Sequence, residues 1–269
     1  MSSSDAPAGI GAWSPPVLRG LLVAELRKML STSVWWALLI PPAVISALAG
    51  WLAPAASGLG LSPSLSEAST LSSFGAIFVT LLGVVCATSE FRHRTATTSY
   101  LTSAGRLQLL AAKVVVCAAF AVGYAVVCAV LDLSCVAIAG GDFTGGELVS
   151  SVEVALVAVL VYVLWATLGV GVGMLFGNQL AAVLVVLLYI LLGERIIGYL
   201  ASTSGIGRID EYLPAGAATA AVTDVASSGG LGLLLQNTLP WGLALFIFLG
   251  YSLVLLLAGA AVAQSRDIT

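Results

Sequence analysis

Apolar runs long enough to cross a bilayer, parted by short polar stretches, repeat along nearly the whole chain. A helix needs roughly 20 predominantly apolar residues to span the hydrocarbon. The pattern predicts six such spans: Val34 to Ala53, Leu71 to Ser89, Leu109 to about Ala139, Val154 to Phe176, Leu180 to about Leu200, and Trp241 to about Ala263. Before the first span, Leu18, Leu21, Leu22, Leu26, Met29 and Leu30 recur at helical spacing, with Arg19, Glu25, Arg27 and Lys28 elsewhere round the wheel. That is the pattern of an amphipathic helix lying in the membrane interface, with Pro16 at its start. Trp35 and Trp36 at one end of the first span and Trp51 at the other match the two aromatic belts, and Pro41 and Pro42 predict a kink between them. Residues 201–240 read as short helical pieces separated by breaks, none long enough to span. The fold expected is an all-α membrane protein of six transmembrane helices, with an N-terminal amphipathic interfacial helix and short non-spanning outer helices before the last span.

The corresponding divisions are a disordered tail over 1–15, the interfacial helix over 16–33, the six-span domain over 34–264 and a second tail over 265–269. Charge placement orients them. Arg19, Arg27, Lys28, Arg92, Arg94, Arg106, Lys113 and Arg266 fall on one side, and only Arg195 and Arg208 on the other. Lys and Arg resist translocation, so the side rich in them is cytoplasmic and both termini are expected there. The most basic island is Glu90 to Gln108, with Lys113 just beyond it snorkelling to the inner surface; it is too polar for hydrocarbon and longer than a minimal turn.

Composition agrees with this picture. The 269 residues are 59% hydrophobic and 9% charged, with a mean hydropathy of +1.08, whereas soluble domains are about one quarter charged. Cys86, Cys117, Cys128 and Cys135 all stand inside apolar runs, where they act as small hydrophobes, and His93 is the single histidine. No metal or catalytic site is expected.

Three features inside the spans bear on chemistry. Asp132 is an intramembrane acid, a residue that by default suggests ion or proton transfer. It lies 19 residues beyond Lys113, roughly 28 Å along a helix, which places it near the outer interface and favours a hydrated or hydrogen-bonded polar site. Glu194 and Arg195 fall late in the fifth span, on the same outer side. Gly169, Gly171, Gly173 and Gly177 miss the dinucleotide-binding spacing, because Phe176 stands where the third glycine belongs. Gly169, Gly173 and Gly177 instead predict a close-packing helix surface, Gly173 and Gly177 forming a small-xxx-small pair. Lys28 and Lys113 are followed by Met29 and Val114, so the chain has no phosphate-binding P-loop.

Several short stretches occur in a telling order. Glu25, Lys28, Ser31, Thr32, Trp35 and Trp36 fit a pattern E-x-x-K-L-R-S-T-R-S-W-W, with Ser33 and Val34 in place of its basic-polar pair. Ser89-Glu90-Phe91-Arg92-His93-Arg94-Thr95 fits S-E-[FY]-R-x-G-T, Arg94 replacing the glycine. A Pro-Arg pair common further on is absent, with Ala104 at about the proline position, but Arg106, Ala111-Ala112-Lys113 and Tyr212-Leu213-Pro214 agree. On these residues the chain, from about Leu18 to Asp267, resembles the permease subunits of type-2 ABC transporters. The resemblance implies a dimer with an identical or homologous permease in the plasma membrane, and two separate ATPase subunits carrying ATP and magnesium. It implies no cofactor in this chain, no enzyme activity of its own and no nucleic-acid partner. The loop over 90–108 would be the coupling element, through Glu90, Phe91, Arg92, His93, Arg94 and Arg106, and the outer short helices would gate the exit. Most such proteins export, and the few charges in the spans point to an apolar or amphipathic drug, lipid or peptide. A secondary transporter and a non-transporting membrane assembly subunit stand as alternatives.

Overall fold

The computed structural model describes residues 15–57, 73–92, 106–139, 145–205, 209–226 and 239–265. Residues 1–14 of the expected tail over 1–15, residues 93–105 of the basic loop, residues 206–208 and 227–238 of the outer stretch, and residues 266–269 of the second tail lie outside the described residues, while Pro15 already belongs to the first helix. Among the described residues there is no strand; the elements are α1 (Pro15–Leu30), α2 (Val34–Ser57), a 3-10 turn (Ser73–Gly75), α3 (Ala76–Arg92), α4 (Arg106–Ile138), α5 (Gly145–Phe176), α6 (Gln179–Leu188), a π turn (Tyr189–Gly193), α7 (Glu194–Thr203), a second 3-10 turn (Asp210–Tyr212), α8 (Pro214–Ala226) and α9 (Trp241–Ser265).

Five stretches are helical, long and apolar enough to cross a membrane: Val34–Leu52, Leu107–Ile138, Val149–Phe176, Gln179–Thr203 and Trp241–Ser265. The expected second span is shorter. Its helix begins at Ala76 after a 3-10 turn, and its apolar part is Ala76–Ser89. The physical reason is its place in the bundle. α3 packs against α2, α4, α5 and α6, and Ala76, Val79, Thr80, Leu82, Val84, Cys86, Ala87 and Thr88 are all buried. A helix sheathed in protein need not match the bilayer by its own length.

α5 shares the centre, contacting α3, α4, α6, α8 and α9. It starts at Gly145, inside what the polar pattern marks as an outer loop, so its first turns extend the helix beyond the apolar run. α2 is one helix through Pro41 and Pro42 and on to Ser57.

Many large apolar side chains face outward, although Leu82, Tyr162, Trp165 and Phe248 are buried, and small side chains are frequent inside. Trp36, Ile40, Val44, Leu48 and Leu52 form an exposed stripe on α2, and Phe246, Val254 and Leu257 are exposed on α9. Inside, Ala, Gly, Cys and Thr recur. Lipid tails are as apolar as leucine, so burying leucine against protein gains little, and small residues that bring backbones together supply the packing. A Cβ on Gly169 would overlap the Thr80 carbonyl, and one on Gly83 the Ala166 carbonyl; a Cβ on Gly173 would stand 2.7 Å from the Ala87 methyl. Those three glycines seat α3 on α5. On the other side of α5, a Cβ on Gly171 would be 2.6 Å from the Leu255 backbone of α9.

Gly177, the second member of the expected Gly173–Gly177 pair, makes the turn that follows α5. It lies one residue past α5 with φ +62°, a left-handed conformation that only glycine adopts without steric cost. Asn178 then caps α6, its side chain accepting from the backbone N–H of Leu180 at 3.0 Å and of Ala181 at 3.3 Å.

Candidate functional site

The buried charges of the described residues fall at several places in the bundle. The first is where α1 meets α4. Ser31 and Thr32 end α1 by returning their hydroxyls to the carbonyls of Lys28 and Met29, and α2 starts at once, which folds α1 back against α4. The face it presents is Leu18, Leu21, Leu22, Glu25 and Met29, with Glu25 and Met29 buried and Leu26 and Leu30 exposed. Glu25 therefore belongs to the inward stripe and not to the polar side where its charge suggested it would lie.

Its partner is Lys113. This ammonium does not snorkel outward; Lys113 is 0% exposed and Glu25 is 2%. Lys113 Nζ donates to Glu25 Oε2 at 2.8 Å, and Lys28 Nζ donates to Glu25 Oε1 at 2.6 Å. The Lys28 side chain is 45% exposed, so one carboxylate bridges a dry ammonium and a wet one. Removing such ions from water costs several kcal/mol each, and close pairing with both carboxylate oxygens engaged offsets it. Cys117 is one turn beyond Lys113 on α4, and its thiol lies against that of Cys86 on α3 beside the ion pair.

The basic island is rooted beside this pair. Glu90, Phe91 and Arg92 form the last turn of α3, and Arg106 is the first residue of α4; His93 and Arg94 lie outside the described residues. The island thus hangs between the central helix α3 and the helix that grips α1.

Further buried charges lie toward the far end of α4, roughly 28 Å from Lys113 along that helix, and separately where α7 begins. Asp132, expected near the surface, is 1% exposed. It is enclosed because α2 approaches to backbone contact: a Cβ on Gly50 would stand 2.7 Å from the Asp132 carbonyl oxygen. Buried Cys128, one turn before Asp132 on α4, feels its charge as Tyr162 does, and the Tyr162 hydroxyl donates to Cys128 Sγ at 3.7 Å, with buried Ser46 of α2 also beside that thiol. Tyr162 also meets the 3-10 turn, where a Cβ on Gly75 would be 3.0 Å from its hydroxyl and 2.6 Å from Pro42.

Glu194 is buried, whereas Arg195 beside it is exposed. Glu194 Oε1 accepts from the Ala215 N–H at 2.8 Å and Oε2 from the Gly216 N–H at 3.2 Å. It therefore closes the N-terminus of α8, where unpaired N–H groups and the helix dipole favour a carboxylate. At the other end of α8, Asp224 Oδ2 accepts from the Trp241 N–H at 2.8 Å and caps α9.

Sequence reasoning missed Glu25, Lys113, Tyr162 and Gly83 as site or packing residues. A signal existed for one of them: Lys113 is an ionisable residue inside an apolar run, which by itself argues for a buried partner. Among the described residues no group of three or more His, Cys, Asp and Glu side chains could hold a metal ion. A scan of the chain against protein-family models finds no match, and a search of curated proteins finds none either.

Proposed function

We propose that this chain is the permease subunit of an ABC exporter, a six-span protein of the plasma membrane with both termini cytoplasmic. It works as a dimer with an identical or homologous permease, driven by two ATPase subunits docked on the basic island. The observation that carries the reading is where the island is attached. It grows from α3, which is buried against α2, α4, α5 and α6. A push delivered to the loop by a soluble partner therefore enters the packing of most of the bundle at once. Packed helices respond to such loads by switching between discrete arrangements. The Glu25–Lys113 pair adds α1 to the moving unit, because α4 carries both the end of the island and Lys113. The cargo is apolar or amphipathic, in keeping with spans that hold few charges.

The test is charge reversal in the island. Glu90→Lys with Arg92→Glu preserves the loop's net charge and hence its topology, and removes complementarity to a docked partner. The expected result is normal membrane abundance, loss of co-purification with the ATPase, and loss of substrate-stimulated ATP hydrolysis. Both surviving the double reversal would refute the coupling role.

A second reading, a proton- or ion-coupled secondary transporter, is favoured by the burial of Asp132, whose charge acts on buried Cys128 and Tyr162. Under the main reading Asp132→Asn leaves transport within a few-fold of the parent with no new pH dependence. Complete loss of transport at normal abundance supports the second reading instead.

A further inference from the structure

The five spanning stretches hold two bases between them, Lys113 and Arg195. Lys113 is dry and paired with Glu25. Arg195 is the opposite: it is exposed, and among the described residues no carboxylate forms an ion pair with it. Its neighbour Glu194 does not serve, because both of its carboxylate oxygens are turned onto the Ala215 and Gly216 N–H groups.

The surface around Arg195 is apolar. α6, the π turn and α7 make up the spanning stretch with the least of its surface buried. Leu184, Leu188, Leu191, Arg195 and Tyr199 follow one another at helical steps of three or four, and all five are exposed. The strip is therefore a row of leucines that ends in a guanidinium and a phenol. Depth sets what the guanidinium meets. Arg195 lies 16 residues beyond Gln179, roughly 24 Å along the helix, in a hydrocarbon layer about 30 Å thick. Its backbone thus falls just inside the far edge of the hydrocarbon, from where a long side chain extends to the headgroups. Tyr199 is one turn further out, at the level where tyrosine rings settle.

Either lipid or a second copy of the chain would cover such a strip. A two-fold contact centred here would set Arg195 against its own counterpart, two like charges drawn out of water together. A phospholipid fits both halves instead. Its phosphate matches the planar fork of the guanidinium, and an acyl chain lies along Leu191, Leu188 and Leu184 toward the midplane. A headgroup without an ammonium of its own keeps its negative charge for the arginine. We propose that this strip binds one acidic phospholipid, in the leaflet on the far side from the basic island, with Arg195 holding the phosphate. The site does not depend on the ABC reading, and its test uses neither ATPase nor cargo.

The test places a bimane fluorophore on Leu188→Cys in a Cys-free background of the full chain, in nanodiscs of phosphatidylcholine. A small fraction of that lipid is replaced by brominated phosphatidylglycerol or, at the same fraction, by brominated phosphatidylcholine. Bromine on an acyl chain quenches the fluorophore on contact, so quenching reads which lipid sits on the strip. The acidic lipid should be enriched about fivefold at Leu188, and Arg195→Gln should bring it level with phosphatidylcholine. At Phe246→Cys, also exposed on α9, the two lipids should quench alike. Equal quenching at Leu188 in the parent would overturn the proposal, as would a preference that survives Arg195→Gln. A preference of the same size at Phe246 would make it a general attraction for acidic lipid and sink the site. Quenching by neither lipid at Leu188 would mean that a second copy covers the strip, which also overturns it.

Discussion

Cutting the Glu25–Lys113 pair one side at a time should give unequal costs, and cutting both sides should cost least. Glu25→Gln takes from a fully buried ammonium the carboxylate 2.8 Å away. Breaking a buried ion pair by removing one member costs about 3–5 kcal/mol, because the remaining charge stays in a poor solvent. Lys113→Met instead leaves Glu25 with Lys28 at 2.6 Å, whose side chain reaches water. That ammonium already meets the carboxylate, so the loss should lie below the Glu25→Gln value by up to about 1 kcal/mol, the most that the Lys28 contact, half in solvent, is worth. Glu25→Gln with Lys113→Met removes both charges and keeps both volumes, and such replacements are often neutral or better. The double variant should thus be more stable than Glu25→Gln alone, with a coupling energy of about 2 kcal/mol or more. The assay is thermal unfolding in detergent followed with a thiol-reactive dye, since the buried Cys86 and Cys117 beside the pair report opening at the site. A double variant as unstable as Glu25→Gln, or a coupling energy within about 0.5 kcal/mol of zero, would refute the claim that this pair fastens α1 to the bundle.

Two further predictions rest on packing and on charge placement. Gly169→Ala should lower the unfolding midpoint clearly, because its methyl meets the Thr80 carbonyl, with a cost of about 1–3 kcal/mol or more for overpacking; Gly123→Ala, with nothing within 4 Å of its added methyl, should match the parent or exceed it. Single cysteines in a Cys-free background at Ser66 and Ser228 should react with an impermeant reagent added outside intact cells and one at Ser103 should not, since bases stay on the cytoplasmic side; labelling at Ser103 from outside would invert the orientation.

Helix positions were legible along the chain because each apolar run carries its own length and its own breakers. The turn between α5 and α6 could be read from Gly177 and Asn178, and the rooting of the basic island in two neighbouring helices follows from its place between two apolar runs. These are local properties, decided within a few residues or a single helix. Pairings between distant residues are another matter. Glu25 and Lys113 are 88 positions apart, and the periodicity of α1 alone assigns Glu25 to the polar side because it does not record that a buried ammonium waits on α4. Gly169, Gly171 and Gly173 look alike in sequence, yet Gly169 and Gly173 meet α3 and Gly171 meets α9; only the neighbouring helices distinguish them. Asp132 could be given a height from the helical rise, but its enclosure comes from Gly50 letting α2 approach to backbone contact. The sequence by itself determined which segments are helical and apolar, since those traits follow from side-chain solvation and backbone preference. The tertiary structure decided which charges are dry, which helix is central and which carboxylate holds α8, since each depends on partners that chain separation hides.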